Sequence, residues 1–165
     1  MNTIRAVDLL AKILTAEQLP VWRESLRATA RRLVVTNGCF DILHSGHVTY
    51  LDAASREGDA LLVGLNADAS VRELKGEGRP INPEQDRAIV IAGLASVKAV
   101  TIFTERDAMH LLETVQPDVY VKGGDYNIDT INQDERHLIE GQGGKVVILP
   151  GVEGRSTTAV IERMK

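Results

Sequence analysis

Residues 34–51 read VVTNGCFDILHSGHVTYL, and within them His44 and His47 stand three residues apart with Gly46 beside the second. Side chains at that spacing share one face of a helix, so two imidazoles here can offer N–H donors to a single phosphate. Gly38 allows a tight turn after the apolar run, and Ser45 or its neighbour can cap a helix that Gly46 and His47 open. The start of such a helix aims unpaired backbone N–H groups and the positive end of its dipole at the same place, which makes it a ready anion site. Gly46 leaves room for a phosphate where a side chain would obstruct it. Cys39, His44 and His47 taken as metal ligands fit worse: Cys-x4-His-x2-His matches no common structural zinc spacing and supplies three ligands where four are usual. Standing alone, the two histidines would serve equally well as capping or surface residues.

The elements that must position this turn alternate along the chain. RRLVVTN, DALLVGLN, VKAVTIF, PDVYVKG and KVVILP are short apolar, β-branched runs bounded by Gly, Pro, Asn or charged residues, and read as strands. Between them, GHVTYLDAASREG carries Val48, Leu51 and Ala53 or Ala54 at helical spacing and stops at Gly58. NPEQDRAIVIAGLASV starts with Asn-Pro and turns Ile89, Ala92 and Leu94 inward; RDAMHLLETVQP and DERHLIEGQGG complete the series. Strand and helix in strict turn, with apolar rather than alternating strands, predict a doubly wound, Rossmann-like α/β fold: a five-stranded, mainly parallel sheet with helices on both faces. Residues 6–30 read as one or two helices with Leu10, Ile13, Leu19, Trp22 and Leu26 as an apolar stripe, broken by Pro20, so that residues 1–30 form a helical extension packed on a single domain spanning 1–165.

In an open parallel sheet, ligands bind in the crevice beyond the carboxyl ends of the strands. The segments that fall there are 37–47, 66–68, 103–106, 122–126 and 151–158. Two Gly-rich polar loops, residues 75–82 and 123–134, lie beside them, the kind of loop that carries function on a rigid scaffold. Asp68 is placed to cap the helix ASVRELK that follows. The chain's 165 residues, 44% of them hydrophobic, suffice for one well-buried core. A net charge of -4 gives no global attraction to nucleic acid or to an anionic membrane, while leaving small anionic substrates open. A single cysteine excludes an internal disulfide, and with neither a secretory signal pattern nor an apolar run of about 18 residues the chain is expected to be soluble and cytoplasmic.

Neither the dinucleotide fingerprint G-x-G-x-x-G nor the phosphate-loop pattern G-x-x-x-x-G-K-[ST] follows the first strand. Instead, GCFDILHSGHVTYL resembles the H-x-G-H signature of the cytidylyltransferase-like nucleotidyltransferases, which include the enzymes for phosphocholine, glycerol 3-phosphate and pantetheine phosphate. With GLNADASVRELKGEGRPINPEQDR, PDVYVKGGDY and GRSTTAVIERM following in order, residues 11–165 are similar to the branch that transfers a nucleotide to heptose 1-phosphate for bacterial lipopolysaccharide or surface glycan synthesis.

That resemblance implies a reaction in which an acceptor phosphate oxygen attacks the α-phosphorus of a nucleoside triphosphate and pyrophosphate leaves. Catalysis of such a transfer is positioning and charge stabilisation, with no obligatory protein nucleophile. By position, His44 and His47 would contact the nucleotide phosphates, Lys75 would close over the triphosphate and acceptor phosphate, and Lys122 would reach the acceptor or α-phosphate. Asn37, Gly38, Cys39, Phe40, Gly46, Gly123, Gly124 and Asp125 would hold the nucleotide, with Ser156, Thr157 and Thr158 on its β- and γ-phosphates. Asp41, Asn66, Arg79 and Arg87 would serve the acceptor side, Arg87 alternatively a subunit contact. The glycines at 123 and 124 are expected to let backbone approach the nucleotide. Arg155 departs from the pattern, where histidine or a small residue is expected. Mg2+ is expected on the triphosphate, with no dedicated protein metal site. The resemblance further implies a homodimer and, since the chain has no room for a sugar kinase, a separate heptose kinase that supplies the acceptor. The open alternatives are a different acceptor, such as glycerol 3-phosphate or a flavin phosphate, and a nucleotide-binding module without turnover.

Overall fold

A computed structural model describes residues 7–124, 126–151 and 157–163. The elements run α1 (Val7–Leu10), β1 (Ile13–Leu14), α2 (Leu19–Ala28), β2 (Leu33–Gly38), α3 (Ser45–Ser55), β3 (Ala60–Asn66), α4 (Asp68–Lys75), α5 (Glu84–Ala92), β4 (Ala99–Phe103), α6 (Met109–Val115), β5 (Val119–Gly124), α7 (Gln133–Gly141), β6 (Lys145–Pro150) and α8 (Thr157–Arg163).

The strands form one parallel sheet in the order β1-β4-β3-β2-β5-β6. Parallel strands need helical crossovers, which cover both faces and force the strands themselves to be apolar. Leu33, Val34, Val35, Leu62, Val63, Val119, Tyr120 and Val121 are accordingly all 0% exposed. One core lies between the sheet and α2, α6 and α7, where Leu26, Leu112 and Ile139 pack; the other lies under α3 and α5, with Leu51, Ala88 and Ile91. The Rossmann-like class is as expected, but the sheet has six strands among the described residues. Ile13–Leu14 pairs with Val100 and Thr101, so the segment expected to be purely helical adds the edge strand. Lys12 secures it by donating to the carbonyls of Ala92 and Val97, each at 2.9 Å.

On α5 and just after it, Ala92 and Leu94 face the core as expected, but Ile89 does not. The buried residues of the helix are Arg87, Ala88, Ile91 and Ala92, while Ile89 is 40% exposed. Val48 of α3 is likewise exposed.

The sheet's winding fixes where a ligand can sit. From β2 the chain moves outward through β3 to β4, then returns to the other side of β2 for β5 and β6. The order therefore reverses between β2 and β5, and a crevice opens beyond the carboxyl ends of those two strands. Gly38 and Lys122 lie at that point.

Candidate active site

A cavity of ≈ 740 Å³ occupies this switch point. It lies within the range of small-molecule sites, roughly 300–1,000 Å³. The β2–α3 turn supplies one wall. Phe40 takes a left-handed backbone (φ 45) as the chain reverses, and its ring meets the His47 ring edge-on at 5.3 Å. A Cβ on Gly38 would stand 2.9 Å from the Phe40 ring, so glycine is needed there for the turn to close. The helix cap is His44 itself, in extended conformation (φ -137, ψ 171), rather than Ser45.

The imidazoles of His44 and His47 stack, their centroids 3.9 Å apart and planes 23° from parallel. The backbone N–H of His44 donates to His47 Nδ1 at 3.4 Å. That contact leaves the His47 proton on Nε2, the nitrogen able to donate to a ligand. Burial, with His44 beside it, pulls the His47 pKa from 6.5 down to about 4, so at neutral pH the ring is a neutral donor. Gly46, in the first turn of α3, lines the cavity with the pair.

β5 supplies the second wall. Lys122 Nζ donates to Asn37 Oδ1 at 2.9 Å and stands 3.7 Å from Glu135 Oε2. Burial lowers the Lys122 pKa while Glu135 opposes that shift. Gly123 lines the cavity and has a further reason to be glycine besides the one expected. A Cβ there would collide with the Tyr50 ring, whose hydroxyl donates to the Val121 carbonyl at 3.1 Å and pairs with Thr36 Oγ1 at 2.7 Å. Gly123 therefore admits the half-buried Tyr50 of α3, whose pKa is pushed up to about 12 by desolvation of its hydroxyl. Gly124 fits the expectation of close approach better: its φ is +91 and nothing lies within 4 Å of where a Cβ would stand.

The segment 75–82 forms the third side. Lys75 ends α4, exposed at the cavity, and Gly76 (φ +90) and Gly78 (φ +84) follow it in open space. The segment is tied down by Asp41, 3% exposed, whose carboxylate accepts from the N–H groups of Ile81 (2.8 Å) and Asn82 (3.0 Å) and from Arg79 Nε (2.5 Å). Burial alone would raise the Asp41 carboxyl, but those donors outweigh it and hold it below its ordinary value. Asp41 and Arg79, both expected to bind the acceptor, thus line the cavity while engaged with each other.

Arg87 is placed differently from the acceptor-side role expected of it. It is 2% exposed and does not line the cavity; its guanidinium donates to the carbonyls of Asn82 (2.9 Å), Cys39 (2.6 Å) and Asn66 (2.9 Å) and pairs with Asp68 at 2.7 Å. It is a buried strut joining the turn, the segment after Arg79 and the end of β3. Asp68 therefore serves as its ion-pair partner, while α4 is capped by Ala67 without a side-chain bond. Asn66, 3% exposed, does reach the cavity, as do Asn37, Cys39 and Phe40. Burial raises the Cys39 pKa, keeping it a thiol, against the opposing charge of Lys75. Thr157 and Thr158, which begin α8, complete the lining, and Thr157 Oγ1 donates to the Ile42 carbonyl at 3.4 Å. Asp125, Arg155 and Ser156 lie outside the described residues.

Sequence reasoning missed Glu135 and Tyr120, while Tyr126 falls in the segment 122–126 expected at the crevice. Tyr120 and Lys122 are polar residues two apart in an apolar strand, hence on one face, and that was the available signal. Glu135 was hidden by its position three residues after Asn132, the spacing of a capping box. Asn132 does cap α7, accepting from Asp134 N–H at 2.9 Å, yet Glu135 turns inward to 3% exposure. Among the described residues no three His, Cys, Asp or Glu side chains converge to hold a metal ion, and no helix is long and apolar enough to cross a membrane.

Comparison with known proteins adds relatives to this geometry. The sequence model of a family described as cytidylyltransferase-like matches residues 35–163. Bifunctional protein HldE of Pseudomonas fluorescens is 49% identical over 153 residues, 93% of this chain and 32% of that protein. The protein of that name from Alkalilimnicola ehrlichii is 50% identical over the same shares, and that from Syntrophotalea carbinolica 45% over 159 residues. The chain thus spans about a third of the length of these curated relatives (32%). Among solved structures, a lipopolysaccharide core biosynthesis protein from Thermoplasma volcanium superposes with a TM-score of 0.62 at 29% identity, over 76% of this chain and 99% of that one. Pantoate-beta-alanine ligase from Francisella tularensis shares the fold alone, with a TM-score of 0.58 at 15% identity over 93% of this chain and 74% of that one.

Proposed function

This chain belongs to the cytidylyltransferase-like family, and from that premise we propose that it transfers AMP from ATP to D-glycero-D-manno-heptose 1-phosphate, releasing pyrophosphate, in the supply of activated heptose for lipopolysaccharide core or surface glycan. An oxygen of the sugar phosphate attacks the α-phosphorus in line. The bond from that phosphorus to the oxygen bridging it to the β-phosphorus breaks, and the electron pair leaves with pyrophosphate.

The observation that carries the reading is the stacked His44–His47 pair at the start of α3, in one cavity with Lys122 at the sheet's switch point. The neutral His47 ring donates from Nε2 to the oxygens around phosphorus, where charge grows as the new bond forms. Lys122 adds a cation on the other wall. Lys75, on its glycine-flanked segment, closes over the phosphates. Thr157 and Thr158, at the start of α8, support contact with the leaving pyrophosphate. Of the cavity's carboxylates, Asp41 is committed to the loop, Glu135 to Tyr120, Lys122 and the Ala108 N–H, and Asp107 accepts the Met109 N–H, which suits Mg2+ carried on the triphosphate and water instead of a protein cage. When bound there it neutralises phosphate charge.

The reading includes a cytoplasmic location, an upstream kinase that phosphorylates the sugar's anomeric hydroxyl, and a homodimer, for which Ile89 and Val90 on the helix of Arg87 remain exposed. The test is pyrophosphate release by the purified protein with Mg2+, each of ATP, GTP, CTP and UTP, and both anomers of the heptose phosphate, with glycerol 3-phosphate as an alternative acceptor. Release with ATP and one anomer is expected. A folded protein that binds nucleotide but turns over no sugar phosphate overturns the assignment.

A further inference from the structure

Behind Lys122 lies a cluster that the transfer chemistry does not by itself require. Glu135 Oε1 accepts the Ala108 N–H at 2.9 Å; its Oε2 lies 2.8 Å from the Tyr120 hydroxyl and 3.7 Å from Lys122 Nζ. The Tyr120 hydroxyl is also 2.7 Å from Asn37 Oδ1, the oxygen to which Lys122 donates. One phenolic proton therefore stands between two acceptors, and the lysine supplies the donors that satisfy both. A buried carboxylate is costly unless paired, and a well-packed apolar side chain would hold α7 to the sheet as well. The presence of a charge at this spot calls for a use.

We propose that Glu135 is a positioning residue for the transfer, holding the Lys122 ammonium against the cavity wall so that its remaining N–H faces the phosphates. The catalytic consequence rests on the proposed function; the hold on Lys122 does not. An ammonium has three N–H groups. Asn37 takes one and Glu135 draws another, which fixes the direction of the third. The side chains of Lys122 and Glu135 are 14% and 4% exposed, so little water competes. Of the other titratable groups around Lys122, Tyr120 and Tyr126 present rings at 5.2 and 5.8 Å and Tyr50 packs on Gly123, while Arg106, Asp107 and the two histidines line the same cavity. Glu135 is the carboxylate in contact with the ammonium, so its charge is what opposes burial in keeping Lys122 protonated.

Glu135→Gln keeps the Ala108 contact and the side-chain shape while removing the charge. Two readouts are made on it and on wild type: the pH titration of Lys122 by competitive acetylation with mass spectrometry, without substrate, and the pH profile of pyrophosphate release. We expect the Lys122 midpoint to fall by about one pH unit or more and the alkaline limb of kcat/KM to move toward neutral by the same amount. An unmoved midpoint with an unmoved limb, in a folded variant, overturns the proposal. Should the variant not fold, wild type decides: Lys122 must still react as an ammonium at pH 8, and a neutral, fast-labelling Lys122 overturns it. Failure of any acceptor to support release would sink the proposed function and leave the labelling result standing on its own.

Discussion

The β2–α3 turn and the segment 75–82 face the same cavity but are held in opposite ways. The turn grows from a central strand whose neighbours on both sides are buried, and its two imidazoles are locked by stacking, by Phe40 and by a backbone bond to Nδ1. The segment 75–82 carries its charge at Lys75 in solvent and bends at glycines with nothing around them. A single buried carboxylate, Asp41, collects most of its bonds to the body. The difference separates two tasks. On the proposed function, donors needed before charge develops are built on the sheet, where reorganisation is expensive, whereas a group that admits substrate and then closes is tethered at one point. Because Asp41 lies three residues before His44, the fixed wall also carries the tether.

The largest effect expected is on the fixed wall: His47→Ala should lower kcat for pyrophosphate release by about 10³-fold with nucleotide affinity changed less than about tenfold, read by steady-state kinetics beside calorimetric titration. An equal loss in both would make the turn a mere binding element. Asp41→Ala strips the tether, leaving the N–H groups of Ile81 and Asn82 and the Arg79 guanidinium without their acceptor, at a cost of about 3 kcal/mol in urea denaturation. Gly123→Ala, which drives a methyl into the Tyr50 ring, should cost about 2 kcal/mol of stability while leaving the 75–82 segment's protease sensitivity unchanged. Lys75→Ala should raise the KM for nucleotide by about tenfold or less and leave thermal stability unaltered; a loss larger than that of His47→Ala would invert the comparison.

A further expected effect concerns pH. His47 is held neutral in the folded state, at about 4 against 6.5 unfolded. The unfolded chain binds the extra proton, so this contribution to stability is complete above pH 6.5 and is lost as pH falls toward 4. The Asp41 carboxyl, also lowered, contributes stability that is lost at lower pH still, as the acid range is crossed through its folded value. Denaturant midpoints measured from pH 7 to 4.5 should fall for wild type and fall less for His47→Ala.

Most of the fold was legible because five strands are long, apolar and separated by helices of ordinary length. The sixth was not: Ile13–Leu14 is two residues long and sits inside a helical stripe, where Leu19 and Leu26 do face the core but Leu10 is 54% exposed. Ile89 was misplaced, though Ala92 and Leu94 were not, because a buried arginine occupies the inward face of α5 and hydrophobic periodicity does not count Arg87 as core. The turn, Lys122 and Gly124 were visible as residue types with chemistry near strand ends. Glu135 and Tyr50 were not, since each acts through a contact across elements that no local spacing encodes. Gly123 illustrates the limit well: its need for glycine was legible, while the tyrosine that imposes it lies more than seventy residues earlier in the chain.

The proposed transfer can be followed at phosphorus. Cys39 is kept a thiol by burial, and His47 has its Nδ1 occupied and its proton on Nε2. The most direct measurement is therefore the stereochemical course with ATP made chiral at the α-phosphorus by sulfur substitution and heptose 1-phosphate as acceptor. Direct in-line attack within this cavity gives a product of inverted configuration. Retention would mean two displacements through a covalent nucleotidyl-protein, and would contradict a site that works by position and charge alone.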